Sequence, residues 1–143
     1  MIDMNKKIKA VFIVLFIAVA AVNFASAQND SMPKIKLRSG AAVSGVVGGE
    51  GHTSYVIRVR KGQTINVMVS RRVPKSGNFN LTVSRNANFF EAKQVKFGKE
   101  TSGRNQLRWT GKAPADGNYY FYLTGFAPNE PNNIRYRLTA TVK

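Results

Sequence analysis

The chain has no cysteine in its 143 residues. That excludes disulfide staples, a thiol nucleophile, thiolate metal sites and a lipid-attachment cysteine. It has one histidine, His52, and only seven acidic residues. A Ser-His-Asp arrangement would have to use His52, yet no Gly-x-Ser-x-Gly turn occurs, and His52 beside Gly51 reads as a solvated loop residue. Calcium loops need carboxylates at close spacing. The acidic residues outside the first 27 stand scattered as Asp30, Glu50, Glu91, Glu100, Asp116 and Glu130, so neither a metal nor a cofactor is expected. Gly45, Gly48, Gly49 and Gly51 lack the spacing of a dinucleotide fingerprint and no helix pattern follows them. Long apolar runs are scarce too. The one clear run, Ala10 to Val22, falls short of the roughly 20 residues that span a bilayer. No stretch keeps a period of 3.6.

What is present begins with a leader. Lys6, Lys7 and Lys9 precede that apolar run, and Ala25-Ser26-Ala27 ends it with small residues. This is the build of a secretory signal peptide over residues 1–27. Gln28 to Pro33 reads as a flexible leader, and residues 34–143 as one domain, large enough to hold a core without staples. A cysteine-free exported domain fits a bacterial periplasm or exterior, so the expected location is periplasmic or secreted. Of 22 basic and 7 acidic residues, Lys6, Lys7, Lys9 and Asp3 fall in the signal peptide, which leaves 19 and 6, a net +13. Such a charge draws polyanions: lipid head groups, acidic polysaccharide, an acidic protein and, as a lesser alternative, nucleic acid. It equally serves solubility.

From Lys34 onward apolar and polar residues alternate, and Gly, Pro and Asn cut the pattern every eight to twelve residues or so. That predicts an all-β, antiparallel, jelly-roll-like sandwich. The predicted strands are Lys34–Arg38, Ala42–Val47, Ser54–Arg60, Gln63–Ser70, Phe79–Ser84, Phe90–Phe97, Asn105–Thr110, Tyr119–Thr124 and Arg135–Val142. In "YVIRVRKGQTINVMV" the rows Tyr55, Ile57, Val59 and Ile65, Val67, Val69 must share one core. A hairpin with a three-residue Arg60-Lys61-Gly62 loop satisfies this and puts Gly62 at a left-handed position.

Parity also sorts the aromatic strand "GNYYFYLTG". Leu123 requires burial and carries Tyr119 and Phe121 inward, so Tyr120 and Tyr122 face outward. On the last strand Tyr136, Leu138, Ala140 and Val142 face in while Arg135 and Arg137 face out; Arg108 faces out beside Leu107 and Trp109. If the last two strands pair, as sequential strands usually do, Tyr120, Tyr122, Arg135, Arg137 and Arg108 form one outer face. Rings and guanidinium forks there suit sugars, carboxylate, sulfate or phosphate. The loop residues Arg71, Arg72 and Lys75 would add charge. The plainer alternative is that cross-strand tyrosines stabilise the sheet and basic side chains guard its edges.

The stretches "SGVVGGEGHTSYVIRVRKGQTINVMVS", "LRWTGKAPADGNYYFYLTG" and "YRLTATV" resemble the bacterial pre-peptidase C-terminal type of β-sandwich, and most of all its small exported relatives, the periplasmic inhibitors of goose-type lysozyme. The shared features are an aromatic strand running into Lys61-Gly62-Gln63, a Pro114-Ala115-Asp116-Gly117-Asn118-Tyr119 corner, and a closing Tyr136-Arg137-Leu138 strand. The resemblance spans roughly Val43 to Val142. It implies a jelly-roll-like sandwich with a non-enzymatic role, and inhibition of a lysozyme-like hydrolase as one form of it. The reading from the residues is a non-enzymatic protein that binds an anionic envelope component or a protein partner. Asp116 and Glu130 as a carboxylate pair for hydrolysis is a weaker third option.

Overall fold

Strands that alternate apolar and polar residues bury one face each, and two such sheets stack face to face. The computed structural model describes residues 32–49, 51–73, 77–126 and 133–143. The signal-peptide segment, most of the expected leader, Lys75 and Glu130 lie outside them. Nine strands are present: β1 (Ile35–Lys36), β2 (Ala42–Gly48), β3 (Thr53–Val59), β4 (Thr64–Val73), β5 (Asn78–Ser84), β6 (Gly98–Ser102), β7 (Gln106–Lys112), β8 (Gly117–Phe126) and β9 (Asn133–Val142). They form a four-stranded sheet in the order β1-β3-β8-β5 and a five-stranded sheet in the order β2-β9-β4-β7-β6. The all-β sandwich is as expected from the alternation. All pairings are antiparallel except β1 with β3, which run parallel.

Two pairings expected from the sequence do not form. β3 pairs with β1 and β8, whereas β4 pairs with β7 and β9. Arg60-Lys61-Gly62 is therefore an arch between sheets, not a hairpin. The parity argument still holds. Ile57 and Val59 from one sheet and Ile65 and Val67 from the other are buried in one core. They face each other across it instead of lying side by side. Gly62 has φ +88°, and its N–H donates to Ala113 O at 2.8 Å, so its left-handed conformation is required.

Likewise β8 and β9 lie in different sheets. The chain changes sheet at every connection except the β6–β7 hairpin. This alternation gives the jelly-roll character.

A strand over Phe90–Phe97 is also absent. Asn88 Oδ1 accepts from Phe90 N–H at 3.1 Å and caps a short 3-10 helix, Phe89–Glu91. Asn86 Oδ1 accepts from Asn88 N–H at 2.9 Å. Local side-chain acceptors capture the backbone before a ladder can. The strand of this region lies later, at β6.

The core is rich in aromatics. Trp109, Tyr55, Tyr119, Tyr136 and Phe121 are fully buried, and each contributes at least the roughly 1.5–3 kcal/mol of a large apolar side chain. Tyr119 also ties down the corner before β8. Its hydroxyl donates to Ala115 O at 2.8 Å, and the Arg85 guanidinium lies 4.5 Å from its ring centroid.

Candidate functional site

In the five-stranded sheet, residues facing away from the core form ordered rows. Met68 on β4 stands opposite Arg108 on β7 and Thr139 on β9. The next row runs Gln106, Ser70, Arg137 and Ser44, and beyond it Arg135 stands opposite Val46. Parity puts all of these on one outer face, and Arg108, Arg135 and Arg137 are exposed. Lys99 and Lys112 continue the face toward β6. Among the described residues it carries no carboxylate.

A shallow depression of about 190 Å³ lies on this face, lined by Asn66, Met68, Arg108, Thr139 and Thr141 together with Val67. Thr110 Oγ1 donates to Asn66 Oδ1 at 2.9 Å and fixes its amide. Gln106 Nε2 and Arg108 Nη2 both reach the Met68 sulfur, the latter at 3.7 Å. A thioether is a weak acceptor, so the guanidinium keeps most of its donors for an anion. The surface can offer forked donors beside small hydroxyls and one soft apolar spot.

The expected single face of tyrosines and arginines is not formed. Tyr120 and Tyr122 belong to the four-stranded sheet, on the opposite side of the sandwich from Arg108, Arg135 and Arg137. Parity sends both rings away from the core, but the crossover after β5 folds over Tyr122. Tyr122 is only 1% exposed. Its hydroxyl donates to Asn86 O at 2.7 Å and its ring lies 5.5 Å from Phe89. Tyr120 is half-buried and stacks on Tyr122 at 6.3 Å.

His52 joins this cluster instead of standing solvated in a loop. It stacks on Phe89 with centroids 3.8 Å apart. Phe90 at its rim is 52% exposed. The sequence signal was the Phe89-Phe90 pair, at the start of what read as a strand over Phe90–Phe97.

The remaining expected residues separate. Arg71 is half-buried, and its guanidinium donates to Gly77 O at 2.6 Å and to Arg104 O. It clamps two loops. Arg72 is exposed at the end of β4. Lys75 lies outside the described residues. Asp116 Oδ1 accepts from Lys61 N–H at 2.6 Å, a structural duty, and the Glu130 proposed beside it is likewise outside the described residues.

No protein-family model and no characterised protein matches the sequence. Solved structures match in shape. The pre-peptidase C-terminal domain of a Bacillus anthracis collagenase aligns over 80% of this chain and 100% of that one, at 16% identity and a TM-score of 0.55. Aeromonas hydrophila PliG, a periplasmic inhibitor of g-type lysozyme, aligns over 77% of this chain and 96% of its own, at 18% identity and a TM-score of 0.53. In fold, the chain resembles a pre-peptidase C-terminal domain. That sandwich is what the corner at Pro114 and the strand running into Lys61-Gly62-Gln63 pointed to. At such identity the likeness carries the fold and not the site. No helix among the described residues is long and apolar enough to cross a membrane.

Proposed function

We propose that this chain is an exported, non-catalytic binding protein of the bacterial periplasm or exterior. Its basic outer face on the five-stranded sheet recognises an anionic partner: a polysaccharide, a lipid head group or an acidic protein. The observation that carries the reading is that Arg108, Arg135 and Arg137 stand exposed on one face with no carboxylate among its described residues. Guanidinium forks so arranged bind carboxylate, sulfate or phosphate in pairs of hydrogen bonds. The net charge of +13 outside the signal peptide (19 basic less 6 acidic residues) adds long-range attraction.

Retention on immobilised heparin tests this. Changing Arg108, Arg135 and Arg137 together to Gln should lower the salt needed for elution well below that of a control with Arg58, Lys93 and Lys96 changed to Gln. Equal shifts in the two triples would mean that net charge alone is responsible, and the face would lose its role.

A second reading is inhibition of a g-type lysozyme, favoured by the likeness to PliG over nearly that protein's full length. A hydrolase partner would have to present an acidic surface to this face. Slowing of such an enzyme at stoichiometric amounts supports the reading; no effect at large excess removes it.

A further inference from the structure

A strand at the edge of a sheet presents unpaired N–H and C=O groups, and proteins guard such edges with shortness, charge, proline or a covering segment. Three of the four edges here are guarded. β1 has two residues. On β5, Val83 N–H donates to Gln94 Oε1 and Val83 O accepts from Val95 N–H. β6 carries Lys99 and Glu100. β2 differs. Its seven residues, "AVSGVVG", hold no charge and no proline. It pairs with β9 on one side, and no further strand pairs with it among the described residues. Val46 on its outer side is 53% exposed.

We propose that β2 accepts an extended acidic segment of a partner protein as a sixth strand of this sheet. The inference rests on the reading above that the partner is anionic, and it specifies how that partner docks. Charge complementarity selects the occupant. Ser44 stands opposite Arg137 and Val46 opposite Arg135 on the next strand. An added strand would lie two spacings, about 10 Å, from β9. An arginine and a glutamate can span that distance over a small residue, and Ser44, which lies between Arg137 and the added strand, is small. A second copy of this chain fits worse. Antiparallel pairing of two β2 strands would put two Arg135–Arg137 pairs on one continuous face with no counter-charge, and like charges on one face oppose pairing. Main-chain hydrogen bonds would supply affinity and alternate side chains specificity. The fitting segment alternates acidic residues outward with small apolar residues beside Val43 and Val47.

The probe is a capped, labelled peptide Val-Glu-Val-Glu-Val-Glu-Val, titrated into the whole protein. We expect binding that protects the amides of residues 42–48 from hydrogen exchange. It should weaken at least tenfold when Arg135 and Arg137 are changed to Gln, and vanish for a peptide N-methylated at every residue, which leaves neither edge a donor. Equal binding of the N-methylated peptide would overturn strand addition while leaving the basic face in place. So would absence of peptide binding in a protein whose heparin retention still depends on Arg108, Arg135 and Arg137. If that dependence is absent as well, the basic-face reading falls with it. A concentration-dependent dimer in which residues 42–48 become protected would make a second copy the occupant and overturn the proposal.

Discussion

Tyr55 on β3 and Tyr136 on β9 meet hydroxyl to hydroxyl inside the core, one from each sheet. Both are 1% exposed. Each satisfies the other, because a buried hydroxyl without a partner costs about 1–3 kcal/mol. Gly45 makes the room: it stands opposite Tyr136, and a Cβ there would lie 2.5 Å from the phenol oxygen. Burial first, and then the Tyr136 hydroxyl, push the Tyr55 phenol well above its ordinary value. The folded state therefore holds a proton that the unfolded chain releases above about pH 10. The contribution is complete below that pH and is lost as pH rises further, since the unfolded state then binds fewer protons. Changing Tyr55 to Phe should cost about 1–3 kcal/mol at neutral pH by orphaning Tyr136, and the double Phe variant should cost less than the two singles together. Urea midpoints between pH 8 and pH 11 should fall more gently for the Tyr55→Phe variant than for the native chain. At this scale the sequence was informative about direction and silent about cover. Alternation sent Tyr119, Phe121 and Leu123 inward and Tyr120 and Tyr122 outward. It could not reveal that the segment from Asn86 to Phe90 folds back over Tyr122.

Among the elements, the arch between β3 and β4 carries the sheet-to-sheet connection. It is closed by Gln63 N–H donating to Arg60 O at 3.1 Å, by Arg60 N–H donating to Gln63 Oε1 at 2.8 Å, and by Asp116 accepting from Lys61 N–H. The last bond ties the arch to the corner that leads into β8. Asp116 is thus an anchor between two connections that are 55 residues apart. Asp116→Ala should cost about 1–2 kcal/mol by removing a charged acceptor from a backbone donor, and the Lys61 amide should exchange faster with solvent. An unchanged denaturation midpoint would show that the contact contributes nothing. A hairpin and an arch share the same local pattern, an alternating strand, a glycine turn and a second alternating strand. Parity constrains only which side chains face the core, so the sequence could place Gly62 correctly and still assign the wrong partner strand. β6 escaped notice for another reason. Its inward positions are Gly98 and Glu100 beside Trp109, so it has no apolar row to read.

For the molecule as a whole, the alternation of sheets makes nearly every pairing a distant one. β2 joins β9, with Ala42 opposite Thr139, and β3 joins β8. The basic face depends on the same long-range closure, because Arg135 and Arg137 share a surface with Arg108 only after β9 has slotted between β2 and β4. Loop closure must come before such contacts are formed, so folding should be slow for a domain of this size. β9 also carries Ile134, Tyr136, Leu138 and Ala140 into the interior, all at 1% exposure or less. Without it β2 has no partner, β4 loses one of its two, and Tyr55 loses the hydroxyl it bonds. A chain ending at residue 132 should therefore fail to fold, instead of folding with a frayed edge. Far-ultraviolet circular dichroism and amide dispersion would reveal the difference. Adding a peptide of residues 133–143 in trans should restore the strand signal and heparin retention together, since one strand completes both the core and the charged face. Recovery of retention without recovery of strand signal would mean that the arginines act as loose charge, and that their placement on a rigid sheet is irrelevant.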